Sequence, residues 1–468
     1  MKIKLLIFLI AFYGTTYSQF TKLHDFNGFS NGNYPSGSLV SDGIFLYGMT
    51  EDGGANNLGT LFKIMPNGTG FTVIHNFTGI INGASPQKSL FFDGTFLYGM
   101  TAYGGSSNKG TLFKIMPNGT GYTKLLDFTG VTNGSSPFGS LVSDGTFIYG
   151  MTNIGGTNDL GTLFKIMPNG TGYTKLLDFT GITNGSYPYG SLFFDGSFLY
   201  GTTSNGGIYN MGTLFKIMPN GTGYVKLLEF SGLINGSAPV DSLISDGTFL
   251  YGMTSNGGVY DYGTIFKIMT NGTGYLKLCD FDYTIKGGYP RGSLTLVGDF
   301  LYGMAGGGTN NVGTLFKIML NGTGFLKLMD FAGYTDGMNP FGGMNPFGSL
   351  IYDTNFLYGM TANGGLVNAG IVFKYYDNTL NLEENDEEIV FTISPNPILE
   401  TTTLHTNIFL NDAILTVYNL SGQQVKKLEN ISGETITIHR ENLTNGIYLI
   451  CLTQNGKIIA KKKLVVLD

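Results

Sequence analysis

The stretch GTLFKIMPNGTGYTKLLDFTG decides the fold, because it occurs at residues 110–130 and returns unchanged at residues 161–181. A shorter tag, Leu-Tyr-Gly-Met-Thr, precedes it and recurs with small edits along the chain. The seven copies of the tag begin at Leu46, Leu97, Ile148, Leu199, Leu250, Leu301 and Leu357. Their spacing is 51 residues for five intervals and 56 for the sixth. A chain with this self-similarity is a repeat protein.

Each copy contains four short apolar runs separated by turn residues. In the third copy the runs are residues 139–143, 146–152, 161–167 and 173–179. Asp-Gly separates the first two runs and Pro-Asn-Gly-Thr-Gly the last two, and both are strong hairpin signals because these residues tolerate positive φ. Each copy is therefore predicted to form a four-stranded antiparallel sheet.

The phase of the repeats predicts a closed ring. The series opens with a lone fourth strand at residues 20–26 and ends with strands one to three, which finish at Tyr376. The first strand and the last three strands together complete a seventh four-stranded sheet. An open solenoid has no reason to divide one sheet between the two ends of the chain. The expectation is an all-β fold in which residues 20–376 form a seven-bladed β-propeller of four-stranded blades.

The regions outside the repeats differ from them in composition. Residues 1–18 place two lysines before a short apolar run and then small residues, as a signal peptide does. Residues 377–390 are acidic and unpatterned, which is typical of a linker. Residues 391–468 contain short alternating strands and predict a small Ig-like β-sandwich. No later stretch is long and apolar enough to span a membrane, so the mature chain is expected to lack a membrane-spanning segment.

The composition excludes several kinds of protein. Charged residues make up 12% of the chain and the net charge is −6, so the basic surface of a nucleic-acid-binding protein is absent. The two cysteines, Cys279 and Cys451, are expected to be unpaired. His and Cys residues have no metal-ligand spacing, and no catalytic Ser–His–Asp or Cys–His set can be assembled. No catalytic residue, metal or cofactor is therefore predicted.

Residues 391–468 resemble a known export domain. The matching blocks are SPNP at 394–397, VYNLSGQ at 417–423, LTNGIYL at 443–449 and KKKLVV at 461–466. In this order they are similar to the type A C-terminal sorting domain of the bacterial type IX secretion system. The resemblance implies a Bacteroidetes-type host and type IX machinery as the partner of this domain. It also implies a product that is released or attached to the cell surface.

The repeats resemble a second family, the GloVer tandem repeats of secreted proteins. The resemblance rests on Ser-Asp-Gly-Thr-Phe-Leu-Tyr-Gly-Met-Thr, on the Gly-Gly loop and on Gly-Thr-Leu-Phe-Lys-Ile, and it covers residues 20–376. It agrees with a secreted repeat fold and implies no reaction.

Recurrent carboxylates have two interpretations. An aspartate precedes glycine at the first turn of five copies: Asp42, Asp93, Asp144, Asp195 and Asp246. A ring of such carboxylates could hold calcium, but Asp is also a preferred hairpin-turn residue, and the turn interpretation is favoured. Asp241, Asp261, Lys286 and Arg291 break the repeat pattern without forming a recognised catalytic set.

The loops that vary between copies lie on one face of the predicted ring and are the expected binding surface. The predicted ligand-binding residues on this face are Tyr187, Tyr189, Tyr209, Tyr260 and Tyr262. Tyrosines beside amide and hydroxyl groups suit sugar rings, so a non-catalytic binding or adhesion module for an extracellular glycan or surface protein is predicted. The alternatives are a polysaccharide-degrading enzyme, a protein–protein interaction scaffold, or tyrosines that merely pack on neighbouring loops.

Overall fold

The computed structural model divides the chain into two compact units, residues 1–377 and 378–468. The described residues are 19–331, 348–353, 355–377, 391–419, 424–454 and 457–466. The predicted signal peptide and residues 378–390 of the predicted linker lie outside them. Each unit is described by itself below.

The first unit is built from seven four-stranded antiparallel sheets, as the repeats predict. Blades 1 to 6 follow chain order, with the first strand of each blade innermost. The strands of blades 1 to 3 are β2 (Val40–Ser41), β3 (Leu46–Thr50), β4 (Thr60–Ile64), β5 (Thr72–Asn76), β6 (Phe91–Phe92), β7 (Leu97–Thr101), β8 (Thr111–Ile115), β9 (Thr123–Asp127), β10 (Val142–Ser143), β11 (Ile148–Thr152), β12 (Thr162–Ile166) and β13 (Thr174–Asp178). Those of blades 4 to 6 are β14 (Phe193–Phe194), β15 (Leu199–Thr203), β16 (Thr213–Ile217), β17 (Val225–Glu229), β18 (Ile244–Ser245), β19 (Phe249–Thr254), β20 (Thr264–Met269), β21 (Leu276–Asp280), β22 (Thr295–Val297), β23 (Phe300–Ala305), β24 (Thr314–Met319) and β25 (Leu326–Asp330).

Blade 7 combines the two ends of the repeat region. Its strands are β26 (Ile351–Asp353), β27 (Phe356–Thr361), β28 (Ile371–Tyr376) and, from the start of the chain, β1 (Phe20–Asp25). β1 pairs antiparallel with β28, so that Phe20 lies opposite Tyr375. The sheet order is β1-β28-β27-β26, which is the arrangement that the repeat phase predicts.

A cycle of serine hydrogen bonds joins the seven blades around the axis. In each blade a serine just before the innermost strand donates its backbone N–H to the hydroxyl of the serine in the next blade, with N–O distances between 2.7 and 3.1 Å. The last bond, from Ser349 to Ser38, returns to the first blade. The blades therefore form a closed ring.

The hydrophobic core lies between adjacent blades. In blade 3 the second and third strands are buried along their length, and Met151 lies opposite Leu163 in the pairing of β11 with β12. The glycine of the repeated tag is required by this packing. A Cβ at Gly150 would lie 2.7 Å from the ring of Phe164, so no larger residue fits there.

The recurrent aspartates make turns, as the favoured interpretation predicts. One carboxylate oxygen of Asp144 accepts the backbone N–H groups of Thr146 and Phe147 at 2.8 and 2.7 Å. The other oxygen accepts the hydroxyl of Tyr149 at 2.6 Å. The same contacts recur at Asp42, Asp93, Asp195 and Asp246.

The second unit is a small β domain with its own core. Its strands are β29 (Phe391–Ser394), β30 (Thr401–Tyr418), β31 (Gln424–His439), β32 (Gly446–Gln454) and β33 (Lys457–Val466). The first residues of β30 pair with β29 and β31, and its last residues pair with β31 and β32. A parallel bridge between Ile398 and Val466 brings the last strand back beside the first, so the sheet wraps around its core.

Candidate functional site

The two kinds of variable loop share one face of the propeller. Each of the six described inter-blade loops bridges to the loop between the second and third strands of the blade that it enters, as Ala84 does to Tyr103 and Ser237 to Asn256. In each of these six loops an X-Pro pair follows, and the residue after the proline lies at the axis. We call this side the variable-loop face.

A pocket of about 240 Å³ opens at the axis of this face. Each described copy contributes to its wall the residue that follows the loop proline, and these six residues all differ. They are Ser36, Gln87, Phe138, Tyr189, Val240 and Arg291. The blade framework is nearly identical from copy to copy, whereas this position, which the ring brings together at its axis, differs in each of the six copies. We call this site the axial pocket.

An ion pair spans the axis beside the pocket. Lys88 of blade 2 and Asp241 of blade 5 occupy a position that is glycine in the other five copies, and Lys88 Nζ lies 2.8 Å from Asp241 Oδ1. The two side chains are only 14% and 9% exposed. Burial raises the pKa of Asp241 to about 6, although Lys88 and Arg291 act against it. No described residue donates a hydrogen bond to the buried Oδ2 of Asp241.

A second carboxyl, that of Glu51, lines the axial pocket. It follows β3 at a position where the next four copies have small or neutral residues, namely Ala102, Asn153, Ser204 and Ser255. Burial raises the pKa of Glu51 to about 7, with Ser36 and Lys88 acting in the opposite direction. A carboxyl with this pKa is partly protonated at neutral pH and can both donate and accept a hydrogen bond.

One wall of the axial pocket is aromatic. The rings of Phe138 and Tyr189 are stacked, with centroids 5.1 Å apart and planes 8° from parallel. Ala238 and Val240 add apolar surface, while Gln87 presents polar groups. A ligand with one apolar face and several hydroxyl groups matches such a wall.

A family model described as the Gloeobacter/Verrucomicrobia repeat matches residues 9–144, 91–247, 184–344 and 245–389. These matches together cover more than half of the chain. The chain belongs to the Gloeobacter/Verrucomicrobia repeat family. A second model, the secretion system C-terminal sorting domain, matches residues 392–467. Both resemblances found in the sequence are thereby confirmed, and the sorting domain indicates secretion and attachment to the outer cell surface.

Solved structures match the chain at low sequence identity. An oligogalacturonate lyase in complex with manganese is 11% identical, with 77% of this chain and 94% of that chain covered and a TM-score of 0.50. A puromycin-hydrolyzing peptidase of Mycobacterium tuberculosis is also 11% identical (81% and 62% covered, TM-score 0.47). PorZ of Porphyromonas gingivalis, a surface component of the type IX secretion system, is 10% identical (92% and 69% covered, TM-score 0.33). Only the first is similar enough to support the fold, and at this identity it supports the fold alone.

Two further searches gave negative results. The comparison with curated proteins finds no match. Among the described residues, no helix is long and apolar enough to cross a membrane.

Within this repeat protein, the five predicted tyrosines occupy different places on the variable-loop face. Among them, Tyr189 alone is one of the described residues that line the axial pocket. Tyr262 contacts other tyrosines at the junction of blades 5 and 6. Tyr187 precedes a loop proline, and its carbonyl accepts the Ser204 hydroxyl at 2.9 Å. Tyr209 and Tyr260 are 58% and 57% exposed on loops between second and third strands.

The sequence analysis missed most of the axial pocket. Asp241 and Arg291 were recognised as breaks in the pattern of the repeats, but Glu51 and Lys88 in the early blades were not. A comparison of the copies position by position would have found both, because each places a charge where other copies have a small or neutral residue. Among the described residues, no three His, Cys, Asp or Glu side chains come together as a metal site requires.

Proposed function

We propose that the propeller is a non-catalytic binding module, displayed at the cell surface, that holds the terminal sugar of an extracellular glycan in its axial pocket. One observation carries the proposal: the copies repeat their framework but differ at the residues after the loop prolines, which meet in this pocket. Packing of the blades does not require that difference, since the framework around each of these residues is the same.

The chemistry of the pocket favours a sugar over a purely apolar ligand. The Phe138–Tyr189 wall offers a flat surface for the C–H face of a pyranose ring. The Glu51 carboxyl and the Ser36 hydroxyl on the wall of the pocket can form hydrogen bonds with the hydroxyl groups of a sugar. Gln87 and Asn256 add side-chain amides for further hydroxyl groups.

The size of the pocket favours the end of a glycan over its middle. A volume of about 240 Å³ is below the usual range for drug-sized ligands, which begins at roughly 300 Å³. About one sugar ring fits such a space. A ligand that continues beyond this ring must leave the axis and run across the variable-loop face.

Replacement of Tyr189 by serine tests the proposal. Serine is the residue of blade 1 at the same position, so the framework accommodates it. Loss of the stacking surface is expected to weaken glycan binding about fivefold, since one aromatic contact is worth on the order of 1 kcal/mol. The parent is first screened on a glycan array, and the dissociation constants for the best-bound glycan are then measured by calorimetry.

The matched control is Tyr209→Ser, because Tyr209 is exposed on the same face but outside the axial pocket. This variant is expected to bind as the parent does. Equal affinities for the parent and the Tyr189 variant, or a larger loss in the control, contradict the proposal.

The raised pKa of the Glu51 carboxyl predicts that the stability of the propeller depends on pH. Its pKa is raised from 4.5 to about 7 in the folded protein, so the protonated form is preferred there. The stability that protonation contributes is present below pH 4.5 and is lost as the pH rises through 7. Glu51→Gln is therefore expected to raise the melting temperature relative to the parent at pH 8 and to change it little at pH 4. A difference of the same size at both pH values would show that Glu51 does not titrate in this way.

One observation favours a second candidate function, glycan hydrolysis. The axial pocket region contains two carboxyl groups with raised pKa values in unlike environments, since Asp241 faces Lys88 and Glu51 does not form that ion pair. A carboxyl that stays protonated near neutral pH can act as a general acid. Incubation with the bound glycan separates the two functions. Release of a sugar that is abolished by Glu51→Gln indicates hydrolysis, whereas retention of the intact glycan supports binding alone.

A further inference from the structure

Three tyrosines form a cluster on the variable-loop face where blade 5 meets blade 6. The ring of Tyr262 lies 4.9 Å from that of Tyr283 and 5.2 Å from that of Tyr289, measured between centroids. Tyr283 and Tyr289 are 6.0 Å apart and nearly perpendicular. All three side chains are half-buried, so each ring retains accessible surface. We call this group the tyrosine cluster.

Tyr283 occupies a position that the other blade junctions give to glycine. The equivalent residues are Gly28, Gly79, Gly130, Gly181 and Gly232, with φ between 81° and 97°. Tyr283 keeps this left-handed conformation, with φ of 72°. A bulky side chain is strained there, and such residues persist where the surroundings hold them, often at ligand sites. The framework does not require a tyrosine at this position, because the other junctions form with glycine.

Contacts around Tyr283 and Tyr262 hold the cluster in place. The Tyr283 hydroxyl donates a hydrogen bond to the side-chain oxygen of Asn311. The carbonyl of Tyr262 accepts the backbone N–H of Tyr289 at 2.8 Å. Tyr262 is likewise special to this junction, since the equivalent residues of blades 1 to 4 are Leu58, Lys109, Leu160 and Met211. The rings are therefore fixed before any ligand arrives, which reduces the entropy lost on binding.

The tyrosine cluster adjoins the axial pocket. Tyr289 and Arg291, which lines the pocket, are separated only by Pro290, so their Cα atoms are at most about 7 Å apart. The cluster therefore lies close to the pocket, at the junction of blades 5 and 6. Asp261 and Asp282 are the chain neighbours of Tyr262 and Tyr283, and their charges disfavour an acidic ligand.

We propose that the tyrosine cluster is a second subsite, which binds the sugar residues that follow the terminal one in an uncharged glycan. This inference rests on the proposed function of the axial pocket. The first sugar lies in the pocket against Tyr189, and the next ones stack on Tyr289, Tyr262 and Tyr283. The ligand is then an unbranched chain end.

Two variants that restore the residues of other copies test the subsite. Tyr283→Gly reinstates the glycine of five junctions and relieves the strained backbone, and Tyr262→Leu reinstates the residue of blades 1 and 3. Neither is expected to disturb folding, and Tyr283→Gly is expected to melt at the same temperature as the parent or higher. A retained melting temperature with reduced binding separates a ligand-binding role from a structural one.

The probes are cello-, xylo- and chito-oligosaccharides of one to six residues, titrated against the full chain by calorimetry. For at least one series the parent is expected to bind the trisaccharide about tenfold more tightly than the monosaccharide, since two added stacking contacts contribute. In either variant this gain is expected to fall to about threefold or less, with unchanged affinity for the monosaccharide.

The outcomes separate this inference from the function on which it rests. The second subsite is contradicted, and the axial pocket is not, if the parent binds all lengths of every oligosaccharide series equally. The same holds if both variants keep the full gain in affinity from monosaccharide to trisaccharide. If the parent binds no member of any series, both the second subsite and the glycan-binding role of the axial pocket are contradicted. Tyr189→Ser is the reciprocal control, because it is expected to weaken every member of a series by a similar factor.

Discussion

Removal of β1 is expected to unfold the propeller at temperatures where the intact unit is stable. β1 is the outer strand of blade 7, and all of its hydrogen-bonded pairing is with β28. Phe26, directly after it, is 1% exposed, and its ring lies 5.2 Å from that of Phe62 in blade 1. Losing a buried phenylalanine alone costs about 3–5 kcal/mol, and the deletion also exposes the edge of β28. Thermal unfolding of residues 19–377 and 27–377, followed by circular dichroism, measures the effect.

Two controls attribute the loss to blade 7. A synthetic peptide of residues 19–27, added to the shortened unit, is expected to raise its melting temperature in a concentration-dependent way. Phe26→Ala in the intact unit is expected to give an intermediate melting temperature, because the strand pairing remains. An unchanged melting temperature after deletion contradicts the closure of the ring through β1.

The fold could be predicted from the sequence because the repeat supplies the same information many times. The 51-residue spacing, the Asp-Gly turns and the offset between the first and last strands together define blades and closure. Some local contacts were still missed. Lys124 pairs with Asp127 at 2.9 Å, and the equivalent lysines of other blades form the same pair with the aspartate three residues later. The serine cycle was missed as well, because the sequence of one copy does not indicate a hydrogen bond to the serine of the next copy.

The axial pocket was harder to predict because it exists only after the ring closes. Residues as distant as Glu51 and Arg291 meet at the axis, and nothing in their local sequence relates them. Of the tyrosines predicted on the variable-loop face, Tyr189 is among the residues that line the pocket. The strain at Tyr283 follows from its positive φ angle. The sequence indicates this angle only when Tyr283 is aligned with the glycines of the other junctions.

Replacement of Asp377 by alanine is expected to give a large loss of stability. In blade 6 the turn aspartate, Asp299, is shifted, and the carboxylate of Asp377 takes its place. Asp377 Oδ2 accepts the Tyr302 hydroxyl at 2.9 Å and the Lys317 ammonium at 2.8 Å. The Lys317 and Asp377 side chains are 4% and 2% exposed. Removing one partner of so deeply buried an ion pair typically costs about 3–5 kcal/mol.

The free energy of unfolding in urea measures this loss, and two further variants interpret it. Asp144→Ala removes the equivalent carboxylate of blade 3, which lies at a partly exposed turn and bonds Tyr149, so about 1–2 kcal/mol is expected there. The double variant Lys317→Met with Asp377→Leu removes both charges and is expected to recover most of the stability, because no buried charge then loses its counter-ion. Equal losses of unfolding free energy in Asp377→Ala and Asp144→Ala would contradict this prediction. The buried ion pair would then stabilise the propeller no more than the aspartate of an ordinary turn does.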